Sequence, residues 1–112
     1  MGRVTPLRVL MEWRRYVGIV YEAVKAVEPS AEVYVAGGAA EGRITARSDI
    51  DVLVVLPRAP AFEEAVDLRV KILERAEGMG LPLHAPVELH IIGRRELGKY
   101  LGRGRVVPAE QL

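Results

Sequence analysis

Apolar side chains recur every three or four positions over residues 7–28. Leu10, Trp13, Val17, Val20, Val24 and Val27 form the stripe, the spacing of a helix with one buried face. Thr5 and Pro6 supply a cap and a first-turn proline, and Pro29 ends the pattern. Residues 32–36 then alternate into a short strand that runs into Gly37-Gly38, and residues 39–48 form a small polar connection. The β-branched run over 49–56, closed by Pro57, predicts a second strand. A second helix is expected over 61–77, with Phe62, Ala65, Val66, Leu68, Ile72, Leu73 and Ala76 facing the core and Gly78 and Gly80 beyond its end. A third strand over 87–92 follows Pro86 and stops at Gly93; a short helix over 95–101 and a Gly/Arg tail complete the pattern. The order helix, strand, strand, helix, strand, helix predicts an α/β (α+β) protein. Its small mixed sheet has about three strands, with helices covering one face.

The 112 residues are half apolar and 28% charged, which predicts one domain over 1–112 with a single modest core. The longest apolar run, residues 52–57, falls far short of the ~20 residues that span a bilayer. Arg3, Arg8, Glu12, Arg14 and Arg15 interrupt any apolar leader, so a soluble, cytoplasmic protein is expected. The absence of cysteine excludes disulfides, thiolate chemistry and zinc–sulfur sites. A net charge of +1 excludes a nucleic-acid binder acting through a strongly basic global field. Thirteen arginines stand against three lysines, with no asparagine and a single glutamine, Gln111. That bias is a habit of thermophile proteins, although a GC-rich genome produces a similar one.

Aspartate occurs only as Asp49, Asp51 and Asp67. The first two sit at i and i+2 at the start of a strand, so both carboxylates face one way while Ile50 and Val52 face the core. Two anions so placed repel, and a hard divalent cation held by oxygen, commonly magnesium, removes that cost. Two solvated aspartates at a strand edge are the plainer alternative. Ten residues before Asp49, an apolar strand empties into Gly37-Gly38. Paired glycines mark many ordinary turns, but they also let backbone N–H groups approach an anion and form a phosphate nest. A phosphate cradle beside a metal cradle suits a nucleoside triphosphate with magnesium. Glu88 interrupts the otherwise mostly apolar third strand. Facing solvent, it does nothing; paired beside Asp51, it gives three carboxylates, enough for one ion on the phosphates and another on an attacking hydroxyl.

The stretch Val35-Ala36-Gly37-Gly38, ten further residues, then Ser48-Asp49-Ile50-Asp51-Val52-Leu53-Val54, with Glu88 on a later strand, resembles the signature of the polymerase-beta-type nucleotidyltransferases. There an apolar residue precedes Gly-Gly or Gly-Ser, an acid–apolar–acid triplet follows after a connection, and a third acid lies downstream. The short chain is similar to the minimal nucleotidyltransferases, many of which are encoded beside a HEPN-domain protein and act as the antitoxin of a toxin–antitoxin pair. The resemblance implies a nucleotidyltransferase-like fold, ATP as substrate, two Mg2+ ions, and AMP transfer to a tyrosine of a HEPN-type partner. Asp49 and Asp51 would ligate the ions, and Glu88 would ligate the catalytic ion and take the acceptor's proton. Gly37 and Gly38 would admit the phosphates. Ser48 would reach a phosphate or the strand backbone, or serve as a plain turn residue. Arg43 and Arg47 would neutralise phosphate charge unless they are simply solvated. At Gly38 the sequence departs from the more frequent serine of the family, which removes a hydroxyl contact. Two alternatives stand beside this reading: an enzyme with an aminoglycoside-type acceptor, and a contact-only binding module. A homo-oligomer is left open.

Other features carry less. His90 shares the face of Glu88 and either makes a local hydrogen bond or lines an acceptor site; His84 has no visible partner. Trp13 and Tyr16 read as core packing before they read as interface anchors. Arg94, Arg95, Lys99, Arg103 and Arg105 make the last part of the chain basic, a solvated face or a partner-binding tail.

Overall fold

A computed structural model describes residues 6–37 and 50–112, with side chains in the first helix described from residue 12. Helix α1 (Pro6–Val27) buries Trp13, Val17, Val20, Ala23 and Val24, the face set by its apolar stripe. The Glu28 N–H donates to the Val24 carbonyl at 2.7 Å, and Pro29, which has no donor, ends the ladder. The Lys25 ammonium donates to the Ala31 carbonyl, pinning the turn into strand β1 (Glu32–Ala36).

Strands β2 (Ile50–Leu56), β3 (Val87–Gly93) and β4 (Val106–Pro108) complete a four-stranded sheet of order β3-β2-β1-β4. β1 runs antiparallel to β2 and to β4, whereas β2 and β3 are parallel. The parallel pair is joined through helix α2 (Phe62–Gly78), as a crossover between parallel strands requires. Helix α3 (Arg94–Arg103) follows β3 directly, and a 3-10 turn (Ala109–Gln111) follows β4.

The mixed sheet with packed helices is the expected architecture, with three differences. The tail contributes a fourth strand, because Val106 and Val107 pair with Ala36 and Val35 on the open edge of β1. The helices cover both faces rather than one. Helices α1 and α2 pack on Val33, Val35, Val52, Val54, Leu89 and Ile91, while Leu97 and Tyr100 of α3 pack on Ala36, Leu53, Val55 and Ile92. Strands that are apolar on both sides need both sides covered. Finally, Phe62 and Val66 do not face the core: Phe62 is 82% exposed and Val66 46%. The buried line of α2 runs through Ala65, Leu68, Ile72 and Ala76, and Phe62, Val66 and Val70 fall off it. Among the described residues no helix is long and apolar enough to cross a membrane.

Candidate functional site

Every residue of β2 is buried except Asp51, which is half-buried. Asp51 stands at the second position of the strand, opposite Ala36 of β1 and opposite Glu88 of β3. The side chains of Ile50 and Val52 enter the α1/α2 core, so the strand's alternation turns Asp51 to the other face, above Leu53. Parallel pairing in this register puts Glu88 on that same face beside it.

His90, two positions further along β3, leans back toward both acids. Its Nε2 lies 3.2 Å from Asp51 Oδ1 and 4.0 Å from Glu88 Oε1. Its Nδ1 lies 3.5 Å from the Tyr100 hydroxyl, and the two rings tilt at 55° with centroids 5.9 Å apart. One ligating atom each from Asp51, Glu88 and His90 falls within a 4.8 Å spread. Exposure grades across the group: the His90 side chain is 24% exposed, Asp51 34% and Glu88 60%. The cluster is therefore rooted in the sheet at one side and open to solvent at the Glu88 side.

Gly37 closes the opposite flank of Asp51. β1 ends beside it, and Gly37 takes φ +77°, where a side chain is strained. A Cβ there would stand 2.8 Å from Asp51 Oδ2. The glycine thus keeps open the space against the carboxylate in which a cation or a phosphate oxygen can sit. Two carboxylates converging with an imidazole, beside a backbone free of side chain, fit a divalent cation: the oxygens supply hard ligands and negative charge.

The sequence-predicted residues divide accordingly. The structure brings Asp51, Glu88 and Gly37 together. Gly38, Arg43, Arg47, Ser48 and Asp49 lie outside the described residues. His90 belongs to the group although the sequence suggested only a minor role. The signal was its i+2 spacing from Glu88, which acquires meaning once Glu88 is known to pair with Asp51. Tyr100, silent in the sequence, is brought in by α3 folding over the second sheet face. His84 is exposed. Trp13 is core, at 4% exposure. Of the basic residues near the end, Arg94 pairs with Glu32 at 3.1 Å and Arg103 lies 5.7 Å from the Tyr100 ring.

The nucleotidyltransferase domain family model matches residues 17–99. None of the curated proteins matches the sequence. Among solved structures, one provisionally assigned nucleotidyltransferase is 24% identical with a TM-score of 0.54, over 80% of this chain and 91% of its own. A second, from Sulfolobus solfataricus, is 25% identical with a TM-score of 0.53, over 89% and 85%. A toxin–antitoxin structure with AMP-PNP shares the fold at 15% identity and a TM-score of 0.55, over 83% of this chain and 71% of that one.

Proposed function

The chain belongs to the nucleotidyltransferase domain family, and we propose that within it this protein is a minimal, magnesium-dependent enzyme that moves AMP from ATP to an acceptor hydroxyl. The acceptor in this reading is a tyrosine of a HEPN-type toxin, with the chain acting as its antitoxin. The observation that carries the chemistry is the register of two adjacent parallel strands, which places Glu88 beside Asp51 on the face that Gly37 leaves open.

Each residue has a task in this account. Asp51 and Glu88 hold the cations, with Asp49 as the further ligand. Bound magnesium would offset the charge that develops on the phosphates as pyrophosphate leaves. Glu88, the most exposed of the three clustered side chains, faces the side from which an acceptor arrives and takes the proton of its hydroxyl. Gly37 and Gly38 offer backbone N–H groups to the triphosphate. Ser48, Arg43 and Arg47 supply further phosphate contacts from the connection before β2. The partner assignment draws support from the toxin–antitoxin structure with AMP-PNP that shares this fold.

The test is transfer of label from α-labelled ATP, with magnesium, to a HEPN-domain protein offered as acceptor. The expected result is label on a tyrosine, lost with Asp51→Asn and with Glu88→Gln. Neutralisation of the partner by Asp51→Asn as fully as by the native chain, with no label in either case, would instead make the protein a contact-only module.

A further inference from the structure

Two carboxylates suffice for magnesium, yet the group they form contains a nitrogen. We infer that His90 is a direct ligand of the bound cation, and that the site therefore takes a nitrogen-accepting divalent ion such as Mn2+ in preference to Mg2+. This inference rests on the nucleotidyltransferase reading and adds that Mg2+, which the site also takes, is not the ion it holds most tightly.

The argument is geometric. His90 Nε2 points between the acids, 3.2 Å from Asp51 Oδ1 and 4.0 Å from Glu88 Oε1. Those three atoms lie close enough to surround one ion. Without a cation, Nε2–H donates to Asp51. With one, the Nε2 lone pair turns to the metal and the ring proton resides on Nδ1, where the Tyr100 hydroxyl stands 3.5 Å away as its acceptor. An outer partner on the second ring nitrogen is the usual support of a ligating histidine, fixing tautomer and orientation. The ring is also held by α3 against the sheet, so little freedom is lost when it binds. Magnesium prefers oxygen and water, whereas imidazole favours first-row transition ions; Mn2+, the first of that series, still binds carboxylates and takes one nitrogen beside them more readily than Mg2+ does. A histidine that merely oriented Asp51 would leave the metal an all-oxygen site.

Mn2+ is the probe, added to the protein with and without a non-hydrolysable ATP analogue and read by electron-spin-echo spectroscopy. The expected signal is modulation from one imidazole nitrogen, abolished in His90→Gln. Calorimetry should show Mn2+ binding more tightly than Mg2+, with His90→Gln narrowing the difference and Tyr100→Phe weakening Mn2+ by about tenfold. Mn2+ bound without nitrogen modulation overturns the inference and leaves the carboxylate site standing. Failure to bind Mn2+, Mg2+ or the nucleotide analogue overturns the functional reading along with it. Circular dichroism of both variants separates these results from misfolding, and Tyr100→Phe tests the ligand role with His90 in place.

Discussion

Gly37 and Asp51 meet so closely that a methyl group on the glycine would stand 2.8 Å from the carboxylate oxygen Oδ2. The contact joins the end of β1 to the chemical face of β2. Its backbone angle, φ +77°, adds a second reason for glycine. For Gly37→Ala we expect about 1–2 kcal/mol of lost stability from the left-handed conformation and a displaced Asp51. Thermal denaturation should register the first effect, and weakened metal-dependent ATP binding the second.

Glu88→Gln separates chemistry from stability. The side chain is 60% exposed, so the melting temperature should move by no more than about 0.5 kcal/mol allows. Transfer should fall by about 10²–10⁴-fold, the loss typical of removing a positioned general base. Single-turnover rates on the native chain and the variant check this. Retention of full activity would remove Glu88 from the mechanism.

Gly93, where β3 turns into α3, is a packing position. A Cβ there would lie 2.8 Å from both the Cα and the N of Ala59, and backbone cannot swing aside as a side-chain tip can. Gly93→Ala should cost about 1–3 kcal/mol through overpacking, measured by urea denaturation. The residue bears no site group, so the folded fraction should keep its nucleotide affinity.

Tyr34 supplies a pH dependence of stability. Burial, followed by the Glu32 carboxylate 3.5 Å from its hydroxyl, pushes its phenol above the ordinary tyrosine value. The folded state therefore holds the proton more tightly than the unfolded chain. This contribution is complete below the ordinary phenol range and is lost as pH rises through the raised folded value. Phenolate absorbance should reveal a late-titrating tyrosine, and Tyr34→Phe should flatten the alkaline fall in melting temperature.

Much of this arrangement is legible along the chain. The helix over Pro6–Val27 and the strand over Ile50–Leu56 announce themselves through spacing and β-branching, and the alternation around Ile50 and Val52 fixes which way Asp51 points. What local pattern cannot carry is pairing. That Glu88 lies opposite Asp51, and His90 two residues beyond, depends on the parallel register of β2 with β3, a relation between segments far apart in sequence. The same holds for α3. Helices on one face leave Leu53 and Val55 without a partner, and only the fold assigns them to a second face covered by Leu97 and Tyr100. Val106 and Val107 were too few to signal a strand without the open edge of β1 beside them. On α2, Phe62 and Val66 look like core residues by composition, but the phase set by Ile72 and Ala76 turns them outward.

The central claim, a magnesium–nucleotide site built on Asp51, is tested most directly by calorimetric titration of ATP into the protein with magnesium, without magnesium, and into Asp51→Asn. The account predicts saturable binding that requires the cation and is lost in the variant, with the fold intact by circular dichroism. ATP binding of equal strength in the variant, or in the absence of any divalent ion, would contradict it.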